Sequence, residues 1–471
     1  MRAPRFHHRT HHIVNRTLPN LKAHRVFFIS VALLCAVFLL GGGARDDIVM
    51  LPLVRLLAGL TCAAAVLSVR HEHWVSHRGE IVFGAVVALY LALQLVPLPP
   101  QLWTMLPGRE AIAASDRVAG IGEVWRPFTL APGATWNALG ALLIPLAMLL
   151  CAIQLSKTEL ERLLLVVLVL GGLSALAGIV QIIGEPGGPF YFYRITNRDA
   201  AVGLFSNRNH HAIFLATLFP MLALVASRAF SSPERTRIRA GLSVTAALLL
   251  LPLILVAGSR VGMAMSVVGL LSAALLYRHP AALVRRRGKA RFDWRLPLVG
   301  LALLLVAIIT LVAARAVAVD RLTQGWWDEE QRFKVWGPIL EQGWTYFPLG
   351  SGIGSFVSVF QMHEPDRLLD PTYLNHAHNE VLELWLTGGV PALLLAALAL
   401  AVLGVRLVAA WRGARRPAAG AALRAVGATT IAILLLGSIA DYPLRTPSLA
   451  ALFVLALVWL HLEAPDNRRN L

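Results

Sequence analysis

Charged residues and cysteines are both scarce in this sequence. Asp, Glu, Lys and Arg make up 15% of the 471 residues, whereas a soluble domain carries about 25%. The three cysteines, Cys35, Cys62 and Cys151, all lie inside apolar runs. Their spacing excludes a cysteine metal site and a disulfide framework, and we expect them to pack between helices. No tandem repeat and no separate soluble domain is visible.

Long apolar runs recur instead, from Val26 to Leu462, and mean hydropathy is +0.65. Within lipid only helices or closed barrels satisfy the backbone, and these runs are too long and continuous for barrel strands. We therefore predict an all-α polytopic membrane protein with about twelve transmembrane helices. The predicted spans are 26–40, 49–69, 81–98, 137–155, 163–183, 211–228, 240–257, 261–277, 296–314, 388–405, 425–440 and 447–462.

Charge placement orients these spans. Residues 1–25 carry six Lys/Arg, five His and no acid, which indicates a cytoplasmic tail before an uncleaved first helix rather than a signal peptide. With that tail inside, the cytoplasmic segments hold 28 of the 43 basic residues but only 8 of the 26 acids, as the positive-inside rule requires. The net charge of +17 is thus a topology signal, and the basic run 284–291 is a cytoplasmic anchor rather than a nucleic-acid site.

The predicted organisation follows from these segments. Residues 1–25 form the basic tail, 26–314 hold helices one to nine, and 315–387 form a large periplasmic loop. Residues 388–462 hold helices ten to twelve, and 463–471 form a second cytoplasmic tail. A long outer loop rich in polar and aromatic residues is where function is expected.

Arg260 is the sharpest functional candidate. It lies in a hairpin of a few residues between two apolar spans, where a guanidinium is costly unless it is paired or hydrated. One interpretation is a snorkelling interface arginine; the other is an anion site, because arginine offers a fork of donors that suits phosphate. Arg208, Arg332 and Lys334 occupy comparable outer positions, and several cations at one face would suit a lipid diphosphate.

His378 is the second candidate, just before an apolar helix. A neutral histidine can take a proton from an alcohol near neutral pH, although a histidine at a helix start can equally serve in capping or packing. His376 and His378 lack a third ligand at convincing spacing, so we predict no metal. Asp46 and Asp47 are expected to form a solvated loop end rather than a divalent-ion site, and Gly350–Gly354 a tight turn rather than a phosphate loop.

Six stretches follow one another along the chain at the predicted outer face: Gly203–Pro220, Gly258–Arg260, Arg332 with Trp336, Pro348–Phe356, His378–Glu380 followed by Gly389, and Asp441–Arg445. By their order and their positions they resemble the O-antigen ligase and polymerase superfamily of bacterial membrane glycosyltransferases. The resemblance extends over about residues 85–460.

The resemblance implies a fold like that of the membrane-embedded C type of glycosyltransferase, in the bacterial inner membrane, with its active site facing the periplasm. The donor would be a glycan on undecaprenyl diphosphate, and the acceptor lipid A–core or another lipid-linked glycan in surface polysaccharide synthesis. By analogy the reaction inverts the anomeric centre and needs no metal or other cofactor. Nucleic acid is not an expected partner.

Roles for individual residues follow from that chemistry. His378 would be the base that activates the acceptor hydroxyl. Arg260, then Arg208 and Arg332, would stabilise the leaving diphosphate, with Arg194 or Arg198 as alternatives to Arg208. Three further residues would support the site: Asn209, Asn379 and Glu380.

Three alternatives to a ligase stay open. A polymerase of the same superfamily shares these motifs. A protein-glycosylating member usually carries a further carboxy-terminal region, so we rank it lower. A multi-pass transporter should show two similar halves and broken helices near mid-membrane, and we find no internal repeat.

Overall fold

The computed structural model describes residues 24–228, 232–279, 326–369, 373–414 and 420–462. Most of the first basic tail, the ninth predicted span at 296–314, the basic run 284–291 and the second tail lie outside these residues.

The first half of the chain is a series of helices connected by short segments. They are α1 (Arg25–Leu40), α2 (Leu51–Val66), α3 (His71–Ser76), α4 (Arg78–Leu93), α5 (Pro100–Thr104), α6 (Glu110–Ala119), α7 (Pro132–Ala141), α8 (Leu143–Ala152) and α9 (Lys157–Ile183). A two-residue pairing of β1 (Pro97–Leu98) with β2 (Arg126–Pro127) closes the loop that carries α5 and α6.

The second half continues in the same way. Its described helices are α10 (Arg208–Ala226), α11 (Pro233–Ala257), α12 (Arg260–Leu276), α13 (Trp326–Thr345), α14 (Phe356–Met362), α15 (Glu380–Gly413), α16 (Ala421–Gly437) and α17 (Pro447–His461). Asn207, Ser259 and Asn379 cap α10, α12 and α15, because their side-chain oxygens accept hydrogen bonds from backbone N–H groups of the first turn.

Five helical stretches of the described chain are long and apolar enough to cross a membrane. They are Pro132–Ala152, Lys157–Ile183, Arg208–Ala226, Pro233–Ala257 and Glu380–Gly413. Five shorter apolar helices of 15 to 17 residues accompany them: α1, α2, α12, α16 and α17. The chain is therefore an all-α, multi-pass membrane protein, as predicted. The total of twelve spans and the periplasmic side of the long loop stay predictions.

Helix α10 forms the centre of the bundle, and its most apolar 18 residues are entirely buried. Gly262 of α12 lies against Ala212, and Gly269 lies against the backbone of Ala216. A side chain at either glycine would collide with α10, so these two positions let the helices approach closely. Because position 262 meets 212 and 269 meets 216, the helices run parallel, and both begin at the same end of the bundle.

Candidate functional site

A cavity of about 560 Å³ lies at the end of the bundle where α10, α12 and α15 begin. We call this end the cavity end. Three loop segments meet there: the α1–α2 connection, the stretch before α10, and the long segment between α13 and α15. Its lining residues include Arg45, Arg208, His210, Arg367, His378 and Tyr442.

Asp441 lies fully buried beneath this cavity, in the turn between α16 and α17. Its Oδ1 lies 3.5 Å from Nδ1 of His378 and 3.4 Å from Nε2 of His210. Its Oδ2 accepts a hydrogen bond of 2.5 Å from Nδ2 of Asn209. One carboxylate thus joins the start of α10 to the segment before α15, and it brings together Asn209 and His378, two residues that the sequence predicted for the site.

The ionised state of Asp441 is favoured despite its burial. Burial raises the pKa of this carboxyl, but the hydrogen bonds and charges of His210 and His378 outweigh it, and the pKa lies well below its ordinary value. The arrangement can therefore orient a histidine and stabilise the imidazolium that forms when the ring accepts a proton.

His378 has an unusual backbone, with φ of +50°. This left-handed conformation is strained for a residue with a side chain, and it persists only where the surroundings impose it. The ring of His378 lies 5.0 Å from that of Tyr442. On its other side Asn379 starts α15 by accepting hydrogen bonds from the backbone of Val381 and Leu382 at 3.0 and 3.2 Å. The strained backbone of His378 therefore lies where its side chain lines the cavity.

A second ionic cluster fixes the chain around His378. Both carboxylate oxygens of Glu380 accept hydrogen bonds from Arg445 at 2.7 Å. Buried Glu383 binds Arg445 at 3.0 Å, accepts from the backbone N–H of Ala377 at 2.9 Å, and contacts Nδ1 of His376 at 3.0 Å. The pKa of Arg445 is raised because these two carboxylates outweigh its burial. The contacts described for Asn379 and Glu380 are therefore a helix cap and an ion pair that hold the segment carrying His378.

The structure separates the three arginines proposed for the loop before α10. Arg208 lines the cavity. Arg194 is 77% exposed and pairs with Asp47 at 2.7 Å, and Arg198 donates to the carbonyl of Arg194 at 3.1 Å. Neither of these two lines the cavity, so of the three arginines Arg208 is the one whose position suits binding of an anion in the cavity.

Arg260 and Arg332 belong to α12 and α13, not to α10, which carries Arg208. Arg260 is the first residue of α12 and is partly buried at the cavity end, although it is not among the described lining residues. Arg332 belongs to α13 one turn before Val335, which lines the cavity. The side chain of Arg332 lies outside the described part of the structure.

The two aspartates of the α1–α2 connection are engaged by protein groups. Asp46 accepts a short hydrogen bond from Asn137, and Asp47 pairs with Arg45 at 3.0 Å. The Nη2 of Arg45 also donates to the hydroxyl of Tyr373 at 2.6 Å, which ties this connection to the long segment across the cavity. Among the described residues, no three His, Cys, Asp or Glu side chains are grouped to hold a metal ion.

The glycine-rich stretch 350–354 forms a tight turn, as predicted, with positive φ at Gly350, Gly352 and Gly354. The backbone N–H groups of Ser351 and Gly352 donate to the carbonyls of Leu386 and Thr387 at 3.0 and 2.8 Å. Those donors are therefore used to hold α15, and they do not form a phosphate cradle. Gly389, with φ of +58°, breaks α15 where this turn packs against it.

Residues 245–397 match the family described as O-antigen ligase. The predicted relationship to the O-antigen ligase superfamily is confirmed. The O-antigen ligase match covers about a third of the chain and includes Arg260, Arg332 and His378; Arg208, Asn209 and Asp441 lie outside it. It supports a membrane enzyme of the ligase or polymerase type that acts on glycan-linked lipids. A comparison with curated proteins finds no match.

Sequence reasoning noticed Asp441 only as part of a pattern and gave it no role. The available signal was an acid between two apolar spans, where an unpaired charge is costly. The contribution of Arg45, Arg367 and Tyr373 to the cavity was also missed, because their chain segments meet only in the folded protein.

Proposed function

We propose that this protein is an O-antigen ligase-like glycosyltransferase. It transfers a glycan from an undecaprenyl-diphosphate carrier to a hydroxyl of a lipid or glycan acceptor, at the periplasmic face of the inner membrane. The observation that carries the proposal is one cavity lined by both His378, backed by buried Asp441, and Arg208. The family match at residues 245–397 supplies the class of reaction.

The proposed reaction is a single displacement at the anomeric carbon. The acceptor oxygen forms the new glycosidic bond while the bond from that carbon to the carrier diphosphate breaks. His378 takes the proton of the acceptor hydroxyl. Its Nδ1 edge faces Asp441, so Nε2 is the nitrogen assigned to this step. Asp441 is a positioning residue that holds the ring and stabilises the imidazolium.

Developing charge on the leaving diphosphate calls for fixed cations. We assign one of these cations to Arg208, which lines the cavity, and the others to Arg260 and Arg332. Removing one such donor costs on the order of a hundredfold in rate. No metal ion has a part in this proposal, and attack from the face opposite the diphosphate gives inversion.

A polymerase of the same superfamily is the second candidate, because it needs the same base and the same cations. A gel of surface glycans from a deletion strain separates the two. Uncapped lipid A–core beside long lipid-linked polymer identifies a ligase, whereas single repeat units on the carrier or core identify a polymerase. A transporter remains the alternative of a different class, and unchanged glycans would favour it.

The test of the site uses His378→Ala and Arg260→Ala expressed in that strain. We expect each variant to insert at wild-type levels and to abolish glycan transfer. Retained transfer in both would refute the assignment of these residues. Cysteines placed at the two positions should react with a membrane-impermeant thiol reagent from the periplasm, and reaction from the cytoplasm alone would overturn the proposed topology.

A further inference from the structure

Exposed aromatic side chains gather where the end of α13 meets α15. Trp344 is 61% exposed and Phe347 is 42% exposed. The ring of Trp344 lies 4.9 Å from that of Trp385 and 5.3 Å from that of Phe347. Leu340, one turn earlier on α13, is 48% exposed, and its carbonyl accepts a hydrogen bond of 3.1 Å from Nε1 of Trp385. We call these four residues the aromatic patch.

The charges of α15 indicate the depth of this patch. Arg406 forms an ion pair with Glu80 near the start of α4, which marks the membrane boundary at the end opposite the cavity. The hydrocarbon core is about 30 Å thick, and a helix rises about 1.5 Å per residue, so about 20 residues cross it. From Arg406 back to the break in α15 at Gly389 there are 17 residues, about 26 Å of helix, so α15 reaches the other side of the hydrocarbon core close to Gly389, four residues after Trp385. The aromatic patch therefore lies at the other boundary of the membrane.

The patch is continuous with a surface that faces lipid. After its break at Gly389, α15 exposes Leu394, Leu398 and Val405, which are 65%, 60% and 73% exposed. Exposed leucine and valine along a membrane span face hydrocarbon. Tryptophan prefers the layer just outside the hydrocarbon, because its ring is largely apolar while its N–H can form a hydrogen bond with the polar groups there. The aromatic patch occupies that layer of the same surface.

We infer that the aromatic patch inserts into the lipid headgroup layer at the cavity end, so that the last turns of α13 rest on phospholipid. Val335, on the same helix, lines the cavity and lies nine residues from Trp344, which is about 14 Å along the axis. The membrane contact thus holds the cavity wall within reach of the headgroup layer. A phosphorylated group on a membrane-embedded lipid lies at that depth.

Site-directed spin labels test this placement without any substrate. In a background without Cys35, Cys62 and Cys151, single cysteines at Leu340 and at Asp366 receive a nitroxide, and the protein is reconstituted into phospholipid bilayers. Leu340→Cys leaves the three aromatic rings intact. Asp366→Cys, in an exposed polar turn of the same long segment, is the matched control. We expect oxygen, which concentrates in lipid, to relax the label at 340 severalfold more than at 366, and a water-soluble nickel complex to do the reverse.

Equal access of the nickel complex to both labels would overturn the inference. A label at 340 that is exposed to water in bilayers, and becomes protected only when a soluble oligosaccharide is added, would assign the patch to glycan binding instead. Because no transfer reaction is measured, either result is independent of the proposed glycosyltransferase activity. A Trp344→Cys label provides a second reading of the same depth, should Leu340→Cys fail to fold.

Discussion

Asp441→Asn removes one negative charge beneath the cavity and keeps the shape of the side chain. Its Oδ1 lies 3.5 Å from Nδ1 of His378. Two unit charges at this distance interact by about 5 kcal/mol at an effective dielectric constant of about 20. This value is an upper limit for what the carboxylate adds to an imidazolium formed in the transition state, and it corresponds to a rate factor between about 10³ and 10⁴.

We expect a smaller loss in practice, because the ring also packs against Tyr442 and keeps part of its orientation. General base catalysis contributes about 10² to 10⁴ in rate. The expected fall in kcat is therefore about 100-fold to 1,000-fold, while KM for the lipid-linked donor stays within about threefold, because Asp441 is buried beneath the cavity and is not among its described lining residues.

The assay follows consumption of an undecaprenyl-diphosphate-linked glycan by membranes that contain equal amounts of each variant, with glycolipid acceptor in excess. Asp366→Asn is the control, since it removes the same charge from an exposed turn nearby. A kcat of Asp441→Asn within about threefold of wild type, or an equal loss in Asp366→Asn, would refute this role for Asp441.

Two further predictions concern the cations and the acid range. Arg208→Ala should raise KM for the donor at least tenfold or lower kcat about 100-fold. Arg198→Ala is the control and should leave both constants within about twofold of wild type, because Arg198 does not line the cavity. Equal losses in the two variants would place the anion site in the exposed loop instead. Because the folded-state pKa of Asp441 is lowered, its stabilisation is complete above its ordinary pKa of about 3.9 and is lost as pH falls toward the folded value. The gap in melting temperature between wild type and Asp441→Asn should therefore be constant from pH 8 to about pH 5 and narrow below about pH 4 in detergent; a gap that widens in acid would contradict this sign.

The membrane class, most helix positions and the family followed from the sequence because each leaves a local signal. Apolar runs of the right length predict spans. His378 was identifiable because a titratable side chain stands immediately before an apolar helix. The bounds shifted by several residues, notably in α15, which begins at Glu380 rather than at residue 388. Polar residues Glu380 and Glu383 hid that start, since their partner Arg445 lies 65 and 62 residues further along the chain.

The pairing within the site did not follow from local pattern. Asn209 and Asp441 are 232 positions apart, and the sequence around either residue does not indicate that the other is its partner. The sequence preferred Arg208 and kept Arg194 and Arg198 as alternatives. The path of the loop, which turns Arg208 toward the cavity and Arg194 toward Asp47, distinguishes them. Distances across a bundle depend on how whole helices pack, and a single sequence does not encode them in any short window.

The complete burial of α10 bears on how the protein is made. Its mean hydropathy of 1.5 is the lowest among the five long spans, and its neighbours cover it on every side. A segment of low hydropathy gains little by entering lipid alone, and its polar residues His210 and His211 oppose entry. Stable insertion of α10 therefore depends on helices synthesised after it, α12 and α16 among them. Mutations that weaken those contacts should first appear as a failure of biogenesis, in which α10 is exposed to quality-control proteases before any catalytic defect can be measured.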